Sequence, residues 1–366
     1  MSFLSTLGTV GSVIISLLIL NVFIMIHELG HYIAGKKLGF GIPEFSIGMG
    51  PKAVSWQRGE TTFYIRWLPI GGYCKFQDED ESDKSADPKS MYNRPVWARM
   101  IMTASGSIMN IISAIVICIG VLTIYGEYQV IDQAYVASVE QNSPAQMAGL
   151  QENDRIVSLG GRQVTTVQSA LDSIVGSKEE PTPIIVERDG RQVELSVTPK
   201  YDEETARYRI GITLNGKVER HRLNFFESIV KGFQNVWEMI VSVFVFFGQL
   251  IGGLFAKIFN PSVTIPGTGD VVSIVGVVGM MSTAVRQDFE VLLWLAAVIS
   301  VNLGVVNLLP IPALDGSRLV FQFYELITKR RVPPEREGVI HLVGFFMMLI
   351  LFVILGVRDV SRMIGG

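Results

Sequence analysis

The chain has 366 residues, of which 49% are hydrophobic and only 18% charged, with a net charge of -3 and a mean hydropathy of +0.38. That balance excludes an ordinary soluble protein, and the lack of any long basic run argues against a nucleic-acid partner. Two cysteines, Cys74 and Cys118, are too few for a disulfide framework or a cysteine-based metal site.

In chain order, Leu7 to Ile26 carries no charge and runs into His27-Glu28-Leu29-Gly30-His31. At about 1.5 Å per residue this is enough for one transmembrane helix, expected over about 7–34. No basic segment precedes it and no small-residue cleavage site follows it, so it reads as a retained span rather than a signal peptide. The stretch 36–96 is polar and rich in Gly and aromatics. Phe45-Ser46-Ile47-Gly48 and Thr62-Phe63-Tyr64-Ile65-Arg66 alternate there in the manner of short hairpins, and an acidic loop follows from Asp78 to Asp83. A second span is expected at about 97–125.

Residues 126–200 differ in kind. They are charged and Gly-punctuated, with β-branched runs at Ile184-Ile185-Val186 and Val193-Glu194-Leu195 around the hairpin turn signal Asp189-Gly190. This is a small domain inserted between spans. In the linker 201–287, the apolar segment 225–259 contains Glu238 and Gln249, with Lys231 and Lys257 towards its ends. It is open to two readings, a span or an interfacial amphipathic helix. The last quarter, 288–366, holds span three at about 288–309, the Leu314-Asp315-Gly316 motif and span four at about 339–357.

Positive charge sets orientation. Lys36, Lys37, Lys52, Arg58 and Arg66 follow span one, and Arg318, Lys329, Arg330, Arg331 and Arg336 follow span three. Both loops belong in the cytoplasm, which four spans satisfy and five do not, so the interfacial reading of 225–259 is favoured. The inserted domain and both termini then face away from the cytoplasm, and the His27 motif lies at the cytoplasmic end of span one.

His27 and His31 lie one helical turn apart, so both imidazoles can reach a single Zn²⁺ while Glu28 stands beside it as a base. An ionisable residue inside a span costs several kcal/mol unless it is functional or paired, and here three cluster in one. A catalytic zinc needs a third protein ligand. His221 and His341 are the weaker candidates. Asp315 is the better one, because Pro310 and Pro312 break span three at its inner end and bring Asp315 to the membrane side of His27 and His31. A metal transporter would leave Glu28 and the inserted domain without a role, and an inert scaffold would not need all four residues.

These motifs, with Gly71-Gly72-Tyr73, Gly106-Ser107-Ile108-Met109-Asn110 and the segment Asn307 to Gly316, resemble the site-2 protease family of intramembrane zinc metalloproteases. The closest likeness is to its bacterial branch typified by the regulator of sigma-E protease. The resemblance implies an α-helical membrane fold with a membrane-associated β-hairpin near the substrate. It also implies one Zn²⁺ on His27, His31 and Asp315, Glu28 as general base, and Asn307 as a substrate contact. The substrates it implies are single-span proteins such as anti-sigma factors or remnant signal peptides, trimmed first by another protease, in a bacterial cytoplasmic membrane.

The inserted domain resembles a PDZ domain through Asn142-Ser143-Pro144-Ala145 to Asp154-Arg155-Ile156 and Gly160-Gly161-Arg162. Asn153 stands where Gly is usual, which fits because Asn tolerates the left-handed region. There is room for one such domain rather than a tandem pair, and it either recruits substrates or filters them.

Overall fold

A computed structural model describes residues 3–78, 87–175, 179–202, 207–260 and 272–365. Most of the expected acidic loop, 79–83, lies outside these residues, as does 261–271 of the expected linker. The chain divides into two units, one comprising 1–125 and 224–366 and the other 126–223.

The first unit opens with α1 (Phe3–Lys37), followed by β1 (Glu44–Arg58), β2 (Thr61–Lys75) and α2 (Val96–Tyr125). Along α1, Val10, Ile14, Leu18 and Val22 recur every four residues and are exposed, while Ser12, Ser16 and Asn21 are buried. This is the pattern of a helix that turns apolar side chains to lipid and small or polar ones to its neighbours. β1 and β2 form a folded sheet in which residues 44–47 are flanked by 62–65 on one side and 72–75 on the other. The hairpin turn is tied down by Glu60, which accepts from Lys36 at 2.7 Å and Lys89 at 2.6 Å. Those hydrogen bonds, Lys36 first, hold its carboxyl well below the usual range, at about 2.

The second unit holds β3 (Glu127–Val139), α3 (Pro144–Met147), β4 (Arg155–Leu159), β5 (Arg162–Gln163), α4 (Val167–Val175), β6 (Thr182–Arg188), β7 (Arg191–Val197), β8 (Lys200–Asp202), β9 (Arg207–Arg209) and β10 (Ile212–His221). Its main sheet runs β10-β3-β4-β6-β7, with β5 beside β4. The sequence boundary at residue 200 falls short, because β10 pairs with β3 from Ile212↔Val139 to His221↔Glu127 and completes the sheet. Asp189 and Gly190 both have positive φ, 51° and 76°, in the turn between β6 and β7. Asn153 is left-handed at φ 69°. Beside it the fully buried Asp154 is satisfied by Arg188, whose Nε and Nη2 donate at 2.7 Å, and by the Gln151 N–H.

The first unit resumes with α5 (Phe225–Phe259), α6 (Ile274–Gln287), α7 (Phe289–Leu308), α8 (Asp315–Thr328) and α9 (Pro334–Gly365). Beside the four expected spans the structure holds one further long apolar helix. α5 is a continuous 35-residue helix. Its Val236 and Val243 join Ala114 and Cys118 of α2 and Ala297, Val301 and Val305 of α7 in one buried cluster. The described residues thus contain five helices long and apolar enough to cross a membrane. Length and composition make α5 a fifth candidate span, whereas the basic loops and the return of α7 to the His27 end of α1 favour four. α6, unanticipated in the sequence, is about 21 Å long at 1.5 Å per residue and too short to cross. It leans on α1, with Ser12 and Ser282 hydroxyls 2.6 Å apart.

Candidate metal centre

α1 approaches α2 closely because Gly30 lacks a side chain: a Cβ there would collide with the Ser105 carbonyl. That proximity lets α2 orient the motif. His31 Nδ1 lies 2.9 Å from the Met102 carbonyl oxygen. A carbonyl can only accept, so Nδ1 carries the hydrogen and Nε2 presents its lone pair.

The third element is a broken helix. α7 stops at Leu308, and Pro310 and Pro312 keep the chain from continuing it. Ala313 takes a left-handed φ of 77°, and α8 begins at Asp315. Gly316 is packed so tightly on the carbonyls of Leu308 and Leu309 that no Cβ fits. The turn is pinned from α9, where His341 Nδ1 accepts the Ala313 N–H at 3.2 Å.

Asp315 is thereby brought to both histidines. Its Oδ2 is 3.0 Å from His27 Nε2 and 3.2 Å from His31 Nε2, and the two Nε2 atoms are 3.1 Å apart. His27 and His31 are 8% and 7% exposed. With Nδ1 of His31 already committed, its Nε2 lone pair, His27 Nε2 and a carboxylate oxygen converge in a nearly equilateral triangle, a donor set able to hold a metal ion. Tetrahedral zinc with bonds of about 2.0–2.1 Å separates its ligands by about 3.3 Å, so the donor set and its spacing fit that ion. Among the described residues this is the sole group of three or more such donors.

Glu28 shares the cavity of about 470 Å³ that these residues line. Its carboxylate accepts the backbone N–H of Cys74 in β2, and Gly72 sits opposite its side chain. The Gly71-Gly72-Tyr73 motif thus lays the edge segment 72–75 beside the base. Tyr73 also lines the cavity, and its hydroxyl accepts from Arg66 at 2.7 Å and donates to Glu44 at 2.9 Å. Asn307 is half-buried in the last turn of α7 and is not among the cavity-lining residues. His341 lines the cavity but belongs to no donor triangle, and His221 lies in β10.

Sequence reasoning did not find the Met102 carbonyl, the Cys74 N–H or the role of Gly106. Backbone groups leave no trace in residue identity, but Gly106 stood within a motif that had no assigned function. A Cβ at Gly106 would lie 2.5 Å from His31 Nε2 and 2.8 Å from His27 Nε2. Gly106→Ala is therefore expected to displace both imidazoles and lower zinc content, measured by metal analysis of the purified protein. Unchanged stoichiometric zinc would show that the site has room for the methyl group.

The model of peptidase family M50 matches residues 15–351. A protein of Clostridium perfringens, provisionally named a zinc metalloprotease, is 31% identical over 95% of this chain and 98% of its own length. One of Clostridium acetobutylicum, provisionally named likewise, is 32% identical over 95% and 97%. A third, from Agrobacterium fabrum, is 30% identical over 97% of each. Among solved structures, the PDZ domain of an SdrC-like protein from Listeria monocytogenes matches 23% of this chain and 87% of that chain at 25% identity, with a TM-score of 0.21. The chain belongs to peptidase family M50, the site-2 proteases. It is a zinc metalloprotease with several membrane helices.

Proposed function

We propose that the chain is an intramembrane endopeptidase whose His27, His31 and Asp315 hold one zinc ion and whose Glu28 is the general base. Its substrates are membrane-spanning segments of single-span proteins. The observation that carries this reading is the convergence of three donor atoms within 3.0–3.2 Å at the end of a helix long enough to cross a bilayer. When bound, zinc supplies a Lewis acid that polarises a carbonyl and lowers the pKa of water towards ~7. Glu28 takes the proton from the attacking water and passes it to the departing amine as the peptide bond breaks.

A substrate helix satisfies its own carbonyls, so it must unwind locally before attack. Segment 72–75 pairs on one side with 44–47 and lies beside Glu28, so strand addition there offers the freed backbone new partners. The basic loops favour a site near the cytoplasmic side, with the 126–223 unit outside as a PDZ domain that recruits or filters substrates. The likeness to the regulator of sigma-E protease favours anti-sigma factors or remnant signal peptides, already trimmed by another protease. Asn307, outside the cavity, remains a candidate contact for the substrate flank.

The test is cleavage of a single-span substrate by the protein reconstituted in vesicles. Chelation of zinc is expected to abolish cutting within the span, and added Zn²⁺ to restore it. Cleavage that survives chelation, or that falls only outside the span, overturns the reading.

A further inference from the structure

α8 is built inside out. Val320, Phe323, Tyr324 and Ile327, at i, i+3, i+4 and i+7, are all exposed. The side turned to α2 is polar. Gln322, 5% exposed, donates from Nε2 to Thr103 Oγ1 at 3.0 Å. Glu325 Oε1 lies 2.6 Å from Nη2 of Arg99, itself 4% exposed. An apolar face turned outward does nothing to seat the helix on α2, so polar contacts must do so.

These contacts fall in register with the metal centre. On α8, Asp315, Gln322 and Glu325 are seven and ten residues apart, close to one face of a helix. On α2, Arg99, Met102, Thr103 and Gly106 form a stripe at i, i+3, i+4 and i+7. Its first and third members grip α8, its second orients His31 through its carbonyl, and its fourth makes room for both imidazoles.

Resting on the zinc-site reading above, we infer that the Arg99–Glu325 pair, with Thr103–Gln322, is a positioning clamp that sets the axial register of α8 and so the reach of Asp315 to the metal. A slip of one residue moves a helix by about 1.5 Å, far beyond the roughly 0.2 Å tolerance of a metal–ligand distance. Apolar side chains slide past one another at little cost, whereas a buried ion pair is satisfied in one register. Fixing register is the best-attested use of such pairs.

The test is competition for zinc against a chelator of known affinity, using the full chain in detergent, with thermal unfolding measured alongside. The wild type is measured first, and failure to bind about one zinc per chain sinks the metal-site reading itself. Given wild-type binding, Arg99→Glu and Glu325→Arg are each expected to weaken zinc by tenfold or more, the scale seen when partners of metal ligands are lost. The double swap is expected to recover most of that loss.

The discriminating variant is Arg99→Met with Glu325→Leu, since replacing a buried pair by apolar residues is often neutral or stabilising. It is expected to keep the melting temperature and still bind zinc at least tenfold more weakly, and it decides the matter if the single reversals do not fold. Wild-type zinc affinity in that variant, or zinc loss that merely follows loss of stability, overturns the clamp.

Discussion

Glu28→Gln is expected to abolish cleavage of a membrane substrate while leaving zinc in place. The substitution keeps the length of the side chain, and the glutamine carbonyl can still accept the Cys74 N–H that Glu28 accepts. His27, His31 and Asp315 are untouched, so metal content stays at that of the wild type. What disappears is the ability to take a proton from water. General-base catalysis contributes about 10²–10⁴-fold, and the rate should fall by that much or more. The measurement is a cleavage time course with metal analysis of the same preparation. A normal rate removes Glu28 as the base, and zinc loss alongside the rate would move its role from proton transfer to the metal site.

Asp315→Ala is expected to fail one step earlier, at the metal. The carboxylate oxygen is one corner of the donor triangle, 3.0 and 3.2 Å from the two Nε2 atoms. Without it, two imidazoles remain on one helical turn. Loss of a residue that only supports a ligand weakens metal binding about 10–100-fold, and loss of the ligand itself should exceed that. Zinc should be sub-stoichiometric after dialysis, and cleavage should vanish with it. Full occupancy in the purified variant would remove Asp315 from the ligand set. The two variants are thus distinguishable, since one keeps zinc without turnover and the other loses both.

The parts of the fold readable in sequence were those with a repeating or local signature. Four apolar runs matched α1, α2, α7 and α9 to within a few residues for α1, α2 and α7. The ends of α9 were harder, because charged residues inside a helix look like flanking loop. Asp189-Gly190 and Asn153 announced their positive φ through residue type. The end of the inserted unit was missed because β10 is held by pairing with β3, some eighty residues away, and pairing partners are not written locally. For α5 the sequence favours an interfacial helix, because Glu238, Gln249 and charge balance count against a span, while its length leaves it a candidate span. Its shared core with α2 and α7 exists only in three dimensions.

The chemistry on offer is already written in the residue order. A histidine, a glutamate and a second histidine at one-turn spacing, an Asp-Gly after two helix-breaking prolines, and apolar runs long enough for a bilayer are all local facts set by helix period and backbone sterics. Whether those groups can act together depends on how the helices pack. It took Gly30 and Gly106 to let α1 and α2 touch, a left-handed Ala313 to turn the chain after α7, and the polar contacts between α8 and α2 to seat Asp315. The donor atoms come from positions 288 residues apart, and their spacing depends on helix packing at sub-ångström scale, which residue identity cannot encode at that range.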